Sequence, residues 1–327
     1  MLRNRVFTFG FLVLTLITAA RAERVRSFEF TYTATVDAIP SDAEKVRLWL
    51  PYPTSDADQT IDAVRIASPY PVTISREPEY GNTILSTEVV GEVPSTLTVQ
   101  LRFTVRRREQ TIDSSRPLDA ALRRRLLAPD RLVPITGRIA ALAAETVEGK
   151  TSLEARSRAI YDYVTSTLTY DKSGTGWGRG DALYACDVRR GNCTDFHSLL
   201  IGMARAVGIP ALFEIGFPIP TDRTEGEIAG YHCWAELYVE GVGWIPVDSS
   251  EASKYPEKAA YFYGNLDENR VLLTRGRDLI LRPEQAGPPL NYFIHPYAEV
   301  DDVPYDKVVG RYTFRDLPRS DTPPTSP

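Results

Sequence analysis

The sequence contains few of the residues that crosslink a protein or hold a metal. Its 327 residues include only three cysteines, Cys186, Cys193 and Cys233, and three histidines. No C-x-x-C pair is present, and His232 and Cys233 would point to opposite faces of a strand, which argues against a zinc site. Because the cysteine count is odd, an oxidising compartment leaves at least one thiol free or bonded to another chain. A Cys186–Cys233 disulfide with Cys193 free stays open.

The N-terminal apolar run is too short for a typical membrane helix. Residues 6–20 are uncharged but include several threonines, whereas a membrane span needs about twenty apolar residues. Arg3 and Arg5 precede this run, and Ala20-Arg21-Ala22 after it has the small-residue pattern of a cleavage site. We therefore predict a signal peptide at residues 1–22. The mature protein is then exported to the periplasm or the extracellular space, without a stable membrane span.

Clusters of basic residues interleaved with aromatic residues are also absent. The formal net charge is -5, and removal of residues 1–22 takes away three arginines and no acid, which makes it about -8. An acidic chain without a basic face argues against nucleic acid as a partner. A hydrophobic content of 43% and a charged content of 25% are typical of packed soluble domains.

Residues 23–110 are predicted to form an antiparallel β domain. Phe28, Phe30 and Tyr32 alternate with polar residues, and Leu97 to Val105 repeat this period of two. Such half-buried strands are typical of a sandwich. We expect this domain to act as scaffold, with a binding module as the alternative.

The apolar residues take helical spacing after residue 117, which predicts a change of domain. Residues 111–131 are expected to connect the β domain to a second domain at 132–317. There Thr151-Ser152-Leu153-Glu154 has the spacing of a capping box, and short strands are predicted at 270–274, 278–281 and 291–300. The polar, proline-rich tail at 318–327 is expected to be disordered.

Four glycines, at positions 174, 176, 178 and 180, surround Trp177 in the segment 171–181. This composition predicts an irregular backbone. A phosphate-binding loop needs a strand before it, whereas a helix precedes this segment, so a nucleotide cofactor is not expected. A surface loop and a lid over a site both stay open.

Cys193 is predicted to lie in the first turn of a helix. The apolar residues from Phe196 to Val207 keep helical spacing until Gly208, an expected C-terminal cap. Backbone N–H groups at a helix N-terminus favour a thiolate over a thiol. Asp195 in the same turn opposes that negative charge, so a cationic partner is needed.

His232 is the proposed partner, and Asp248 is proposed to orient it. Residues 231–239 are typical of a strand, Glu240-Gly241-Val242-Gly243 predicts a tight turn, and residues 244–248 return antiparallel. This hairpin brings Asp248 near the start of the His232 strand, where a carboxylate would favour the imidazolium. Pro246 places the returning strand at a sheet edge or makes it irregular.

Each of these residues alone has a purely structural interpretation. A buried cysteine, a core histidine and an aspartate in a turn are all common. Their order and setting together favour a catalytic set. His197 and His295 are interpreted as structural, and the glycosylation sequon at Asn192 is interpreted as chance, because a sugar there would cover the thiol.

The segment from about Leu132 to Val300 resembles the bacterial transglutaminase-like superfamily. The resemblance rests on the residues 191–196 (GNCTDF), 230–236 (GYHCWAE) and 243–248 (GWIPVD). It implies a papain-like α+β fold, in which a nucleophile helix packs on an antiparallel sheet, here preceded by the β domain. It also implies that Cys193 is the nucleophile, His232 the general base and acid, and Asp248 the residue that orients His232. Papain itself fits worse, because its histidine lies roughly 130 to 150 residues after its cysteine.

The resemblance implies a transglutaminase-like cysteine acyltransferase or a cysteine protease. The Cys193 thiolate would attack an amide or ester carbonyl, and water or an amine would resolve the thioester; the residues serve both outcomes equally. The resemblance does not supply an oxyanion-hole donor; we expect the Cys193 backbone N–H to serve, and a contribution from the Trp177 indole stays open. The chemistry needs no cofactor, and export suggests protein or peptide substrates such as cell-envelope peptides. The alternative is a non-catalytic envelope module that binds a partner and has a vestigial triad.

Overall fold

The structure is a computed structural model, and it describes residues 24–318. The predicted signal peptide at residues 1–22 and nearly all of the predicted tail lie outside the described residues. Within the described range, no helix combines the length and the apolar character that crossing a membrane requires.

The first third of the described chain forms strands, as the alternating pattern predicts. In chain order these are β1 (Val25–Val36), β2 (Lys45–Tyr52), β3 (Gln59–Ala67), β4 (Val72–Arg76), β5 (Thr83–Val90), β6 (Leu97–Arg108) and β7 (Gln110–Thr111). Phe28, Phe30 and Tyr32 on β1 are fully buried, and the polar residues between them are partly exposed.

Helices dominate the middle of the chain. They are α1 (Ala120–Leu126), α2 (Gly137–Thr146), α3 (Leu153–Thr167), α4 (Ala182–Val188) and α5 (Cys193–Ala206), with the short strands β8 (Thr169–Tyr170) and β9 (Arg190–Gly191) between them. The predicted capping box is one residue out of place, since Ser152 rather than Thr151 caps α3 by accepting the Ala155 N–H. Helix α5 ends as predicted, because Gly208 adopts a positive φ of 83° beyond it.

The last third of the chain returns to strands. It contains β10 (Ala211–Pro218), β11 (Glu225–Glu227), β12 (His232–Val239), β13 (Gly243–Val247), α6 (Ser249–Lys254), a 3-10 turn (Pro256–Lys258), β14 (Asn265–Leu266), β15 (Arg270–Arg275), β16 (Tyr297–Val300), β17 (Val303–Tyr305) and β18 (Val308–Asp316). The strand predicted at 278–281 does not form, and only an isolated bridge joins Leu279 to Leu290. Of the predicted stretch 291–300, only Tyr297–Val300 is a strand.

Two five-stranded sheets build the β part of the molecule. Their strand orders are β11-β18-β1-β6-β3 and β17-β16-β2-β5-β4, and the pairing is antiparallel throughout. C-terminal strands therefore complete sheets begun by N-terminal ones: β18 pairs with β1 from Phe28↔Asp316 to Val36↔Val308. The sheets thus combine residues from the predicted β domain at 23–110 and from the predicted catalytic domain at 132–317.

A separate four-stranded antiparallel sheet supports the helix that begins at Cys193. Its strand order is β13-β12-β10-β15, and α5 packs against β12 and β10. Every residue of α5 from Cys193 to Arg205 is buried, so the helix is enclosed on all sides. Together with the antiparallel sheets of the β part, this helix on a sheet confirms the predicted α+β fold class.

Candidate active site

Cys193 is the first residue of α5, as the sequence predicts. Asn192 caps this helix, and its side-chain oxygen accepts the Thr194 N–H at 3.0 Å. The N–H groups of the first turn have no acceptor within the helix and direct partial positive charge toward Cys193. Cys193 is only 2% exposed. The nucleophile candidate is therefore held at a fixed point beneath the surface.

Asp195 completes the start of the helix and also holds the glycine-rich segment beside it. Its carboxylate accepts the backbone N–H groups of Asn192 at 3.0 Å, Gly178 at 2.7 Å and Gly180 at 3.0 Å. A Cβ on Gly191 would overlap with this carboxylate, which explains why glycine precedes the cap. These N–H donors stabilise the negative charge of Asp195, which reduces the repulsion that the sequence predicts between this carboxylate and a Cys193 thiolate.

His232 and Asp248 form a buried pair. Asp248 Oδ2 lies 2.7 Å from His232 Nε2, and the two residues are 0% and 6% exposed. The register explains the meeting: β13 pairs with β12 from Val239↔Gly243 to Ala235↔Val247, so Asp248 follows just past the residue opposite Ala235. The predicted hairpin thus forms, and Pro246 lies on its edge strand β13.

Asp248 is held by several donors besides His232. Arg270 Nη1 donates to Oδ2 at 3.2 Å, while the Glu251 N–H and the Ser250 hydroxyl donate to Oδ1 at 3.0 Å each. Burial alone would raise the pKa of this carboxyl, but the charges of His232 and Arg270 outweigh burial and keep its pKa well below the usual range. Asp248 is therefore a fixed carboxylate at the end of β13.

The electrostatics favour a thiolate and an imidazolium. Burial opposes charge on both groups, but hydrogen bonds from Cys233 and His232 lower the pKa of Cys193 well below its ordinary value. The neighbouring Asp248 and Cys193 in turn raise the pKa of His232 to about 10. Since Nε2 of His232 bonds Asp248, Nδ1 is the ring nitrogen that remains for Cys193. The three predicted site residues are thus brought together.

Cys233 also reaches Cys193, which the sequence analysis missed. Strand alternation was expected to place His232 and Cys233 on opposite faces, yet both residues interact with the Cys193 thiol and lower its pKa against the effect of burial. The pairing of β12 with β10 is regular from Ala211↔Leu237 to Gly216↔His232, and His232 and Cys233 are the first two residues of β12. No simple period-two pattern could have indicated it.

His197 is a further buried neighbour of the pair. Its Nδ1 lies 2.8 Å from the Cys193 carbonyl oxygen, 3.6 Å from Cys233 Sγ, and its Nε2 lies 3.8 Å from Asp248 Oδ1. A carbonyl can only accept, so Nδ1 carries the hydrogen. Burial lowers the pKa of His197, which keeps the ring neutral. His197 thus supports the backbone of Cys193 instead of acting as a second cation.

The structure also describes the three cysteines, the possible metal ligands and Trp177. Cys186, Cys193 and Cys233 are all free thiols, so the disulfide considered between Cys186 and Cys233 does not form. Among residues 24–318, no group of three or more histidine, cysteine and acidic side chains is arranged to hold a metal ion. The Trp177 indole N–H donates to the Gly174 carbonyl at 3.2 Å, within its own loop.

A cavity of about 660 Å³ opens beside His232. Ile219, just after β10, and Ile228, just after β11, line it together with the aromatic residues Tyr255, Tyr261 and Phe262, and charged residues such as Arg24, Glu257 and Lys258 complete the lining. This volume falls within the range of ligand-binding clefts, which are largely apolar with a few polar groups. Of the three predicted site residues, His232 alone lines this cavity, so the cavity reaches the site on the His232 side.

The fold is that of a papain-like α+β protein, and part of the chain matches the model of a known family. Residues 140–249 match the core model of the transglutaminase-like superfamily. This segment contains Cys193, His232 and Asp248, and it is similar to that superfamily, as the sequence motifs predicted.

The relatives share part or most of the chain. An uncharacterized protein of Haemophilus influenzae is 32% identical over 181 residues, which are 46% of this chain and 49% of the relative. The match thus spans about half the length of this curated relative. A structure provisionally assigned as a cysteine protease from Cytophaga hutchinsonii is 16% identical, with a TM-score of 0.59 over 91% of this chain and 93% of its own. The periplasmic domain of TgpA from Pseudomonas aeruginosa is 19% identical, with a TM-score of 0.38 over 68% of this chain and 75% of its own.

Proposed function

We propose that the protein is an exported cysteine acyltransferase or protease that acts on amide bonds of protein or peptide substrates. Cys193 is the nucleophile, His232 the general base and acid, and Asp248 the residue that orients and charges His232. The observation that supports this most is the buried His232–Asp248 bond of 2.7 Å, with Cys193 hydrogen-bonded to the same imidazole. Burying opposite charges costs desolvation energy, and groups with strongly shifted pKa values cluster at functional sites, which supports a catalytic role for this set.

The arrangement supports a two-stage acyl transfer. The Cys193 thiolate attacks the amide carbonyl, and negative charge develops on the carbonyl oxygen. The Cys193 backbone N–H, which has no acceptor at the first helical position, stabilises that oxyanion. The His232 imidazolium then donates its Nδ1 proton to the leaving amine, and a thioester remains on Cys193. Asp248 stays ionised and holds the ring through Nε2.

Water or an amine completes the reaction from the cavity beside His232. Neutral His232 accepts a proton from the incoming nucleophile, and the collapse of the second tetrahedral intermediate regenerates the thiolate. Water gives a peptidase or amidase, whereas an amine gives a transglutaminase. Tyr255, Tyr261 and Phe262 along this cavity suit a peptide chain with apolar or aromatic side chains. Cell-envelope peptides are the proposed source, since the N-terminal residues predict export.

Thiol labelling tests the activated pair. The folded protein is treated with iodoacetamide from pH 5 to pH 9, and each cysteine is quantified by peptide mass spectrometry. We expect Cys193 to react faster than a simple thiol at the acid end, and His232→Ala to abolish this advantage. His295→Ala, which changes an exposed histidine, is the matched control. An inert Cys193, unaffected by His232→Ala, would instead favour the non-catalytic envelope module.

A second assay separates the two acyl acceptors. A peptide with an internal glutamine is incubated with the protein and a primary amine, and the products are identified by mass. Incorporation of the amine identifies transfer, whereas glutamate formation or chain cleavage identifies hydrolysis. Cys193→Ala must abolish every product, and Cys186→Ser, which alters a thiol on α4, must leave them unchanged.

A further inference from the structure

A second thiol lies against the proposed nucleophile and has no role in the acyl-transfer mechanism. Cys233 Sγ lies 3.6 Å from His197 Nδ1, and the same nitrogen donates to the Cys193 carbonyl at 2.8 Å. Helix α5 packs directly on β12, and the Cys193 and Cys233 thiols interact closely enough for each to shift the pKa of the other. The two sulfurs are therefore neighbours inside the core, although forty residues of chain separate them.

We propose that Cys233 is a resolving thiol, which captures an oxidised Cys193 as an intramolecular disulfide and so makes peroxide damage to the nucleophile reversible. The proposal rests on the proposed function in one respect, namely that Cys193 is the reactive thiolate. The oxidant is hydrogen peroxide or another hydroperoxide, and the modification site is the Cys193–Cys233 pair.

The chemistry proceeds in two balanced steps. The Cys193 thiolate attacks one peroxide oxygen, the O–O bond breaks, and the departing hydroxide takes the proton of the His232 imidazolium to form water. Cys193 is thereby oxidised to a sulfenic acid and the peroxide is reduced. The Cys233 sulfur then attacks the Cys193 sulfur, the S–O bond breaks, and the hydroxyl leaves as water with the Cys233 proton. The net products are one disulfide and two waters.

The local charges make the second step conditional on the first. Burial raises the pKa of the Cys233 thiol well above its ordinary value, and the hydrogen bond and negative charge of Cys193 raise it further. Oxidation to a neutral sulfenic acid removes the negative charge on Cys193, so Cys233 ionises more easily only after Cys193 has reacted. His197 Nδ1 already carries a hydrogen, which it donates to the Cys193 carbonyl, so it cannot accept the Cys233 proton. The departing hydroxyl therefore takes the Cys233 proton.

Cys186 does not have this setting. It lies on α4, is partly exposed, and has Arg138 and Asp187 as its charged neighbours. It therefore provides the matched control for both thiols of the pair.

Peptide mapping after oxidation tests the proposal. Trypsin places the three cysteines on different peptides, 191–205 for Cys193, 224–254 for Cys233 and 180–189 for Cys186. After treatment with equimolar hydrogen peroxide, we expect the first two peptides to be joined by a disulfide. Iodoacetamide labelling of Cys193 should disappear and return almost fully with dithiothreitol. Cys186→Ser should give the same result.

The Cys233→Ala variant provides the second arm. We expect its Cys193 to proceed to sulfinic acid. Dithiothreitol should then restore at most about one tenth of the labelling that it restores in the unmodified sequence. For each protein, the rate at which iodoacetamide labels Cys193 after dithiothreitol treatment is compared with the rate before oxidation. If Cys193 labels rapidly but the unmodified protein also gives sulfinic acid or a Cys186 disulfide, the resolving role is wrong while the proposed function stands. If Cys193 is inert to iodoacetamide and to peroxide, both proposals are wrong.

Discussion

Asp248 Oδ2 lies 2.7 Å from His232 Nε2 in the protein interior, although sixteen positions of chain separate the two residues. The contact is made by a tight hairpin, whose returning strand ends at Asp248. The same carboxylate also accepts the Glu251 N–H and thereby caps α6. One side chain thus fixes the histidine, the end of a strand and the start of a helix, so its charge and its shape have separable consequences.

The Asp248→Asn variant separates the charge from the shape. Asparagine is as good a helix cap as aspartate, so α6 should form normally. Without the negative charge the pKa of His232 falls, and the ion pair with Cys193 weakens at neutral pH. We expect a kcat lower by about ten-thousandfold, as for neutralisation of the orienting carboxylate in a catalytic triad. Acyl transfer and Cys193 labelling check this prediction, measured at a temperature well below the melting temperature of the variant, which the loss of the buried charge pairing with Arg270 should lower.

Glu251→Gln is the matched control for that variant. Glu251 Oε1 lies 4.0 Å from His232 Nε2 and pairs with Lys254, so it contributes charge without holding the ring. We expect the kcat for acyl transfer to fall by less than about tenfold. Equal losses from the two variants would contradict the assigned role of Asp248.

The pH dependence of the reaction should follow the two ends of the ion pair. The pKa of Cys193 lies well below its ordinary value, so labelling should persist under acidic conditions in which a simple thiol is protonated. His232, with a pKa of about 10, must be protonated to donate to the leaving group. Acyl transfer should therefore decline as the pH rises through about 10, whereas labelling of the thiolate should not. A parallel decline of both would contradict the assignment.

The sequence predicted the parts of the site that follow local rules. The start of α5 at Cys193, its end before Gly208 and the hairpin from His232 to Asp248 all depend on turn residues and periodicity, which neighbouring positions reveal. The position of Cys233 could not be predicted in this way. It depends on how α5 packs on β12, and β12 is itself placed by its pairing with β10, a contact between segments that are distant in the chain.

The fold shows the same division between local and distant determinants. The alternation in β1 predicts a half-buried strand, but it does not identify the strand's partners. Val308–Asp316, from the other end of the chain, pairs with it along nine positions, and this pairing depends on how the intervening domain returns the chain. The stretch 278–281 had strand-like composition, yet Leu279 makes only one isolated bridge, since no continuous strand lies beside it.

Asp195→Asn should loosen the glycine-rich segment. Asparagine has one acceptor oxygen where the carboxylate serves three N–H donors, so some of the bonds to Gly178 and Gly180 are lost. We expect the free energy of unfolding to fall by about 2 kcal/mol, because hydrogen bonds to charged groups contribute roughly 1.5–3 kcal/mol each. Urea denaturation and hydrogen exchange at Gly178 and Gly180 measure the two effects.

The control for this loop is Asp181→Asn. Asp181 caps α4 at the end of the same segment, and asparagine can replace it in that role. We expect the free energy of unfolding to fall by no more than a few tenths of a kcal/mol. If both variants lose the same stability, or if exchange at Gly178 is unchanged in Asp195→Asn, the proposed link between the nucleophile helix and the loop is wrong.

Glu236 should make the stability of the protein depend on pH, at a position outside the candidate active site. It is buried on β12, accepts from Gln110 at 2.8 Å and Arg116 at 2.6 Å, and lies near the buried Glu214. Burial first, and then the charge of Glu214, raise the pKa of Glu236 to about 7 from an ordinary value of 4.5, although Arg116 opposes the shift. The folded protein therefore binds this proton more tightly than the unfolded chain.

Between pH 4.5 and pH 7 the folded state holds more protons, so the free energy of unfolding should decrease as the pH rises through that window. Across this window the titration of Glu236 should lower the free energy of unfolding by about 2–3 kcal/mol. Glu236→Gln should flatten this part of the curve in urea unfolding measured at intervals from pH 4.5 to pH 8, whereas Glu240→Gln, at an exposed carboxylate just beyond the same strand, should keep it. Any titration of His232 is common to all three proteins and cancels in the difference. A slope that survives in Glu236→Gln would mean that the proton is held elsewhere in the buried network.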